Sequence, residues 1–161
     1  MTSLDSVLRA LADSSVQVRD VSAPRTNEVH CRVSVSAIKD LGDLVCRSLS
    51  AELIFMAADD RRRESNAFFV HYLFAHRTAN WFLQASARLE GRQPELPSLA
   101  PFHYPASRFE REIRDLFGIV VTGHPDLRPL VKHGFWPESY YPLRKDARAG
   151  EFSDDGQPFP F

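Results

Sequence analysis

Apolar residues recur along this chain at two different periods. Leu4, Val7, Leu8 and Leu11 follow helical spacing behind Ser3, a residue suited to a helix cap. Residues 16–22 and 29–35 then read as strands, the second alternating strictly at Val29, Cys31, Val33 and Val35. Pro24, Thr26 and Asn27 fall in the expected turn between them. Ser36 is placed to cap a second helix that buries Ile38, Leu41, Leu44, Val45 and Leu49. Gly42 weakens that helix by about 1 kcal/mol relative to alanine. Three more strands follow at 51–58, 67–75 and 80–89. The last sets Trp81, Leu83, Ala85, Ala87 and Leu89 against Gln84, Ser86 and Arg88, so one sheet face is buried and the other more polar. Short connections predict an antiparallel meander. The order α-β-β-α-β-β-β predicts an α+β fold in two layers, with helices on one side of a single mixed sheet, followed by a C-terminal helix and an extended tail.

The stretch 61–64 lies between two strands and reads as a solvated loop tip, with a basic docking patch as the sharper alternative. Residues 91–105 hold Pro94, Pro97, Pro101 and Pro105 and read as a surface linker. The next helix spans 107–117. Ser107 precedes Glu110 by three, the spacing of a capping box. Phe109, Ile113, Leu116 and Phe117 form its apolar stripe. Arg108/Glu112, Glu110/Arg114 and Arg111/Asp115 stand at i, i+4, each such pair worth about 0.2–0.5 kcal/mol when solvated. Gly118 supplies a left-handed stop. Residues 119–122 predict a short strand. Beyond it, Phe135, Trp136, Tyr140, Tyr141, Phe152, Phe159 and Phe161 stand among prolines. They read either as anchors for a protein interface or as a tail folded over its own sheet. The expected division is a core domain, 1–122, and an extended docking segment, 123–161.

Composition narrows the function classes. A chain of 161 residues with 43% hydrophobic and 25% charged residues is one ordinary globular domain. A net charge of −1 offers no global field for nucleic acid. No apolar run approaches the roughly 20 residues of a membrane span. The N-terminus lacks the basic start and apolar centre of a signal peptide. Cys31 and Cys46 form no CxxC and suit a reducing, cytoplasmic compartment. The six histidines are scattered, without an HExxH, and the glycines make neither a GxGxxG nor a phosphate loop. No catalytic, metal or cofactor-binding residue is therefore expected. His124 and Asp126 are spaced as an acid/base pair, but Pro125 between them favours a structural turn. A small independent enzyme using that pair is the alternative from another class. Arg144 suits a bidentate bond to a carboxylate, inside the chain or on a partner.

Several motifs in sequence carry a resemblance. They are Glu110-Arg111-Glu112, then Asp115-Leu116-Phe117-Gly118-Ile119, then Gly123-His124-Pro125-Asp126-Leu127-Arg128, then Pro142-Leu143-Arg144-Lys145-Asp146. Together they resemble the signature of the 30 kDa subunit of respiratory complex I. The same domain stands at the front of formate hydrogenlyase and related membrane-bound nickel–iron hydrogenase large subunits. Ala106-Ser107-Arg108-Phe109 before Glu110 is closer to the hydrogenase branch. Pro129, and the aromatic stretch 136–141, depart from the complex I pattern. The resemblance implies an accessory scaffold without a cofactor of its own. Its implied partners are a large subunit, 49 kDa-like or hydrogenase-like, and a neighbouring iron–sulfur subunit. Nucleic acid is not implied, and the membrane is reached only through those partners. Contact residues implied on this basis are Glu110, Arg111, Glu112, Asp115, His124, Asp126, Arg144, Lys145 and Asp146.

Overall fold

The computed structural model describes residues 4–134 and 136–147. Helix α1 (Leu4–Asp13) leads into hairpin β1 (Val18–Arg25) and β2 (Glu28–Val33). A helical segment follows, formed by a 3-10 turn (Val35–Ala37), α2 (Ile38–Asp43) and a wide π turn (Leu44–Ser48). Then come β3 (Glu52–Arg61), the single turn α3 (Arg62–Ser65), β4 (Ala67–His76), β5 (Trp81–Glu90), β6 (Glu95–Pro97), α4 (Ala106–Phe117) and β7 (Val120–Thr122). The five-stranded sheet has the order β1-β2-β5-β4-β3. β3, β4 and β5 form the expected antiparallel meander, while β2 runs parallel to β5, so the sheet is mixed.

The helices share one face of this sheet. Val7, Leu11, Ile38, Leu41, Val45, Ile113 and Phe117 enter the same buried cluster as Val29, Leu83, Tyr72 and Met56. On β5 the buried residues are the predicted set, Trp81, Leu83, Ala85, Ala87 and Leu89. Gly42 sits where a Cβ would lie 3.2 Å from the Leu99 side chain and 3.4 Å from the His103 ring. The glycine lets the helix backbone approach the 98–103 segment closely, which offsets its poor propensity.

Four local expectations are corrected. Ser36 is inside the 3-10 turn, whose N-cap is Ser34, and no side chain caps it. Pro24 lies within β1, tolerated because that strand is at the sheet edge. β3 continues through Asp59 and Asp60 to Arg61, because Asp60 turns its carboxylate inward to a partner rather than to water. The 91–105 stretch is no surface linker. β6 pairs in parallel with β7, and Leu96, Ser98, Leu99 and Ala100 are buried. Among the described residues no helix is long and apolar enough to cross a membrane. Ser3, Phe135, Phe152, Phe159 and Phe161 lie outside the described residues.

Candidate protein-docking surface

Helix α4 begins without the expected capping box. Pro105 is its N-cap, and no side chain closes the helix start. Glu110 points inward instead, where it is fully buried. Its carboxylate accepts the Ser98 hydroxyl at 2.5 Å and the Leu99 N–H at 2.6 Å. Ser98 Oγ in turn accepts the Ala100 N–H at 3.1 Å. Burial pushes the Glu110 carboxyl above its ordinary value, while these donors pull it back. The residue therefore ties α4 to the turn after β6.

His124 is buried beside it, with Nε2 3.7 Å from a Glu110 oxygen. Its Nδ1 accepts the Asp126 N–H at 2.9 Å. With that nitrogen occupied as an acceptor, Nε2–H donates to the Ser107 carbonyl at 3.1 Å. Both ring nitrogens are spoken for, and His124 and Asp126 meet through backbone rather than as an acid/base couple. The Asp126 carboxylate turns outward, accepting both the backbone N–H and the guanidinium of Arg128. Those bonds hold it well below the usual carboxylate range. Among the described residues no three potential metal ligands come together.

The polar side of α4 serves the tail. None of its three expected i, i+4 pairs is among the described ion pairs; in the Glu110/Arg114 and Arg111/Asp115 pairs, partners farther along the chain take the groups instead. Arg111 donates to the carbonyls of Arg128 and Pro129 at 2.8 and 3.0 Å. Arg114 donates to the Leu127 carbonyl. Asp115 is buried, and its Oδ2 accepts three successive amides, Leu130 at 2.6 Å, Val131 at 2.8 Å and Lys132 at 3.1 Å. One carboxylate thus folds the 130–132 loop around itself. Glu112 and Arg108 remain exposed on the helix.

The far end of α4 is closed by residues 141–146. Gly118 is left-handed at φ +67°, and a Cβ there would lie 2.5 Å from the Tyr141 ring and 2.6 Å from Arg144. Arg144 Nε donates to the Phe117 carbonyl at 2.6 Å, and Leu143 N–H donates to Leu116 O at 3.1 Å. The orphan carbonyls of the last turn are therefore satisfied from the tail. The Arg144 guanidinium also lies 4.3 Å from the Tyr141 ring centroid and 5.6 Å from that of Phe68. Within this chain its hydrogen-bond partner is a helix end rather than a carboxylate.

Beside it, the buried Asp60 accepts the Arg62 guanidinium at 2.7 Å and the Lys145 N–H at 2.8 Å. Burial opposes ionisation of Asp60, but the bonds from Arg62 and the two backbone amides outweigh it and hold the carboxyl well below its usual range. Arg62 also pairs with Asp146 at 2.6 Å, and Arg63 donates to the Lys145 carbonyl at 2.7 Å. The 61–64 stretch is thus neither a free loop tip nor a free basic patch. Half of it clamps the tail.

Sequence reasoning missed Ser98 and Asp60 altogether, and singled out Arg62 and Tyr141 only as members of the 61–64 stretch and the aromatic tail, without their partners. In the run Asp59-Asp60-Arg61-Arg62-Arg63, no spacing rule reveals that Asp59 and Arg61 pair at the surface while Asp60, Arg62 and Arg63 hold residues 145 and 146. The tail presents apolar side chains outward among its charges. Leu127, Leu130, Val131 and Leu143 are all at least 40% exposed. Between the loop and β7 lies a cavity of about 620 Å³, lined by Arg114, Val121, Lys132, Trp136 and Tyr141 among others.

A two-layer α+β domain thus holds its own tail against α4 and the end of β3 through the buried carboxylates of Asp115 and Asp60, and leaves Leu127, Leu130, Val131 and Leu143 exposed along it. Residues 25–153 match the family described as respiratory-chain NADH dehydrogenase, 30 Kd subunit, and the chain belongs to that family. Its relatives include formate hydrogenlyase subunit 5 of Escherichia coli, 28% identical over 71% of this chain, and hydrogenase-4 component G of the same organism, 29% identical over 89%. A subunit of the NADH-quinone oxidoreductase of Ruegeria pomeroyi is 35% identical over 74%. The chain spans only 20%, 27% and 60% of those three proteins, respectively. The fold matches a chain of an archaeal membrane-bound sulfane sulfur reductase complex, with a TM-score of 0.77 at 18% identity, covering 90% of this chain and 85% of that one. It also matches a trypsin-resistant Nqo5 fragment, with a TM-score of 0.60 at 22% identity, covering 77% and 98%.

Proposed function

We propose that this chain is a non-catalytic scaffold subunit of a complex I-like energy-converting oxidoreductase of the formate hydrogenlyase type. It docks on the large subunit through the segment after Gly123. The observation that carries this reading is the Asp115 cradle. Three consecutive tail amides converge on one buried carboxylate, so the loop that exposes Leu127, Leu130 and Val131 is ordered before any partner arrives. Preorganisation of this kind lowers the entropic cost of association. Glu110, Arg111, Asp115, His124, Asp126, Arg144, Lys145 and Asp146 act mainly by building that surface. Glu112, exposed on α4, is left to meet the partner directly. A neighbouring iron–sulfur protein completes the assembly, and the chain reaches the cytoplasmic face of the membrane through these partner subunits.

The match to hydrogenase-4 component G along most of the chain supports the hydrogenase type. The 35% identity to a subunit of an NADH-quinone oxidoreductase supports the second reading, the corresponding subunit of complex I proper. The test is purification of the assembly from the source cells with wild type and L127D/L130D. Wild type is expected to carry a large subunit with it, and the variant to lose it while keeping its circular dichroism and melting transition. A nickel–iron subunit selects the first reading and a quinone-site subunit the second. Undiminished recovery with the variant would remove the tail from the interface.

A further inference from the structure

The helices and the tail occupy one side of the five-stranded sheet, and no described element covers the other. β4, Ala-Phe-Phe-Val-His-Tyr-Leu-Phe-Ala-His, carries large apolar residues on both sides. Phe68, Val70, Tyr72 and Phe74 fill the core, while Phe69, His71 and Leu73 face outward and are partly exposed. A strand with one wet face ordinarily alternates; a strand apolar on both faces is built to be covered on both. His71 adds a second sign. Its Nδ1 is buried at this face without a hydrogen-bond partner among the described residues.

The strand register locates the charge. Arg19 stands directly opposite Arg32, and Arg32 is in register with Ser86 and through it with His71. Arg88 is in register with Phe69. One row of the face thus runs from two arginines to the centre of β4, and the next begins with a third. Like charges directly opposite each other destabilise a sheet unless something offsets them. Asp20, itself left-handed at φ +51°, pairs with Arg32 at 3.0 Å, and Glu90 pairs with Arg88 at 2.9 Å. Arg19 has no carboxylate of its own among the described ion pairs. Arg19, Arg32 and Arg88, with Gln17 and Ser34, line a depression of about 280 Å³ at that corner.

We infer that this open sheet face is a second docking surface, and that its occupant is an acidic segment of a neighbouring subunit. That segment lays apolar side chains over Phe69 and Leu73 and sets a carboxylate among Arg19, Arg32 and Arg88. The inference rests on the subunit reading above, but it concerns the side of the molecule away from the tail. Charge complementarity chooses the occupant. An apolar strip alone would accept any greasy surface, whereas the arginine corner selects carboxylates and rejects a basic neighbour.

The experiment uses the full chain in its native assembly, with the photo-reactive residue p-benzoylphenylalanine replacing Phe69 or Leu73. A control probe replaces Leu130 on the tail. The expected result is a cross-link from the sheet-face probes to a single peptide of a neighbouring subunit, rich in Asp or Glu beside apolar residues. Its yield should drop by about tenfold or more when R19E/R32E/R88E is added, and recover in R19K/R32K/R88K, since the corner acts by charge. Cross-linking at Leu130 with none at 69 or 73 overturns the inference and leaves the subunit reading standing. Silence at all three positions overturns both. Attachment to lipid, to a second copy of this chain, or to a peptide without acidic residues also overturns it, as does a yield indifferent to the charge reversal in a variant with an unchanged melting transition.

Discussion

Replacing Asp115 with alanine isolates the feature on which the tail's shape depends. The side chain is 3% exposed and gives one oxygen to three amides between 2.6 and 3.1 Å. A hydrogen bond to a charged group contributes about 1.5–3 kcal/mol, and one left unmade in the interior costs a similar amount. The three bonds do not sum, because Leu130 and Val131 lie at the surface and their amides regain water once the loop opens. The expected loss is therefore close to that of a single charged bond, about 2–3 kcal/mol. For a chain of this size that lowers the melting temperature by about 4–12 °C. The sharper readout is native-state hydrogen exchange. In wild type the amides of Leu130, Val131 and Lys132 should be protected well beyond an exposed loop. In Asp115→Ala they should exchange about a hundredfold faster, the equivalent of about 2.7 kcal/mol, while β4 and β5 amides slow or quicken only with global stability. Unchanged protection at those three amides would show that the cradle does not hold the loop, and the account of the tail would have to be abandoned.

Arg144→Lys keeps the charge but loses the planar contact with Tyr141 and the Nε donor to the Phe117 carbonyl; a cost of about 1–2 kcal/mol is expected in urea unfolding, and a neutral result would deny the stacking any role. Gly118→Ala meets both a left-handed backbone and a Cβ position occupied by the Tyr141 ring, so the loss should exceed the roughly 1–2 kcal/mol of the conformation alone. Asp60 and Glu110 give opposite pH signatures. Asp60 is held below its usual range, so its contribution is present above the unfolded value near 4 and fades as pH falls below it, and Asp60→Asn should flatten that acid limb of a stability–pH curve. Glu110 is held above its usual range, so relative to Glu110→Gln the wild type should gain stability as pH falls from neutral towards the ordinary carboxylate range; a difference independent of pH would mean the buried carboxyl does not titrate there.

The sheet was legible where its strands obey a period-two code, as β2 and β5 do. Trp81 to Leu89 could be assigned to a face from spacing alone, and the structure buries that same set. The α4 stripe and the Gly118 stop were readable for a similar reason, since both follow from local geometry. The polar residues were misread wherever their partners were distant in sequence. Glu110, Arg111 and Asp115 have good local partners at i, i+4, and the chain declines them for Leu99, Pro129 and Leu130. Isolated helix pairs in water contribute a few tenths of a kcal/mol, whereas an unsatisfied buried amide costs several times more. Long-range demand therefore outranks local spacing, and spacing is all a sequence displays. The same imbalance explains β6. Proline-rich stretches suggest surface, yet Leu96 had a parallel partner in β7, and both Leu96 and Leu99 had a core to enter.

The parallel pairing of β2 with β5 also governs the order in which the molecule can be completed during synthesis. Cys31 lies beside Ser86, 55 residues later in the chain. The first hairpin leaves the ribosome without a neighbour for its inner strand, and must wait until the whole antiparallel meander has emerged before it can be seated. Contacts this distant in sequence close slowly. The β1–β2 hairpin therefore stays unseated until β5 has emerged, and the clasp of Asp60 on the Lys145 amide, 85 residues apart, closes later still.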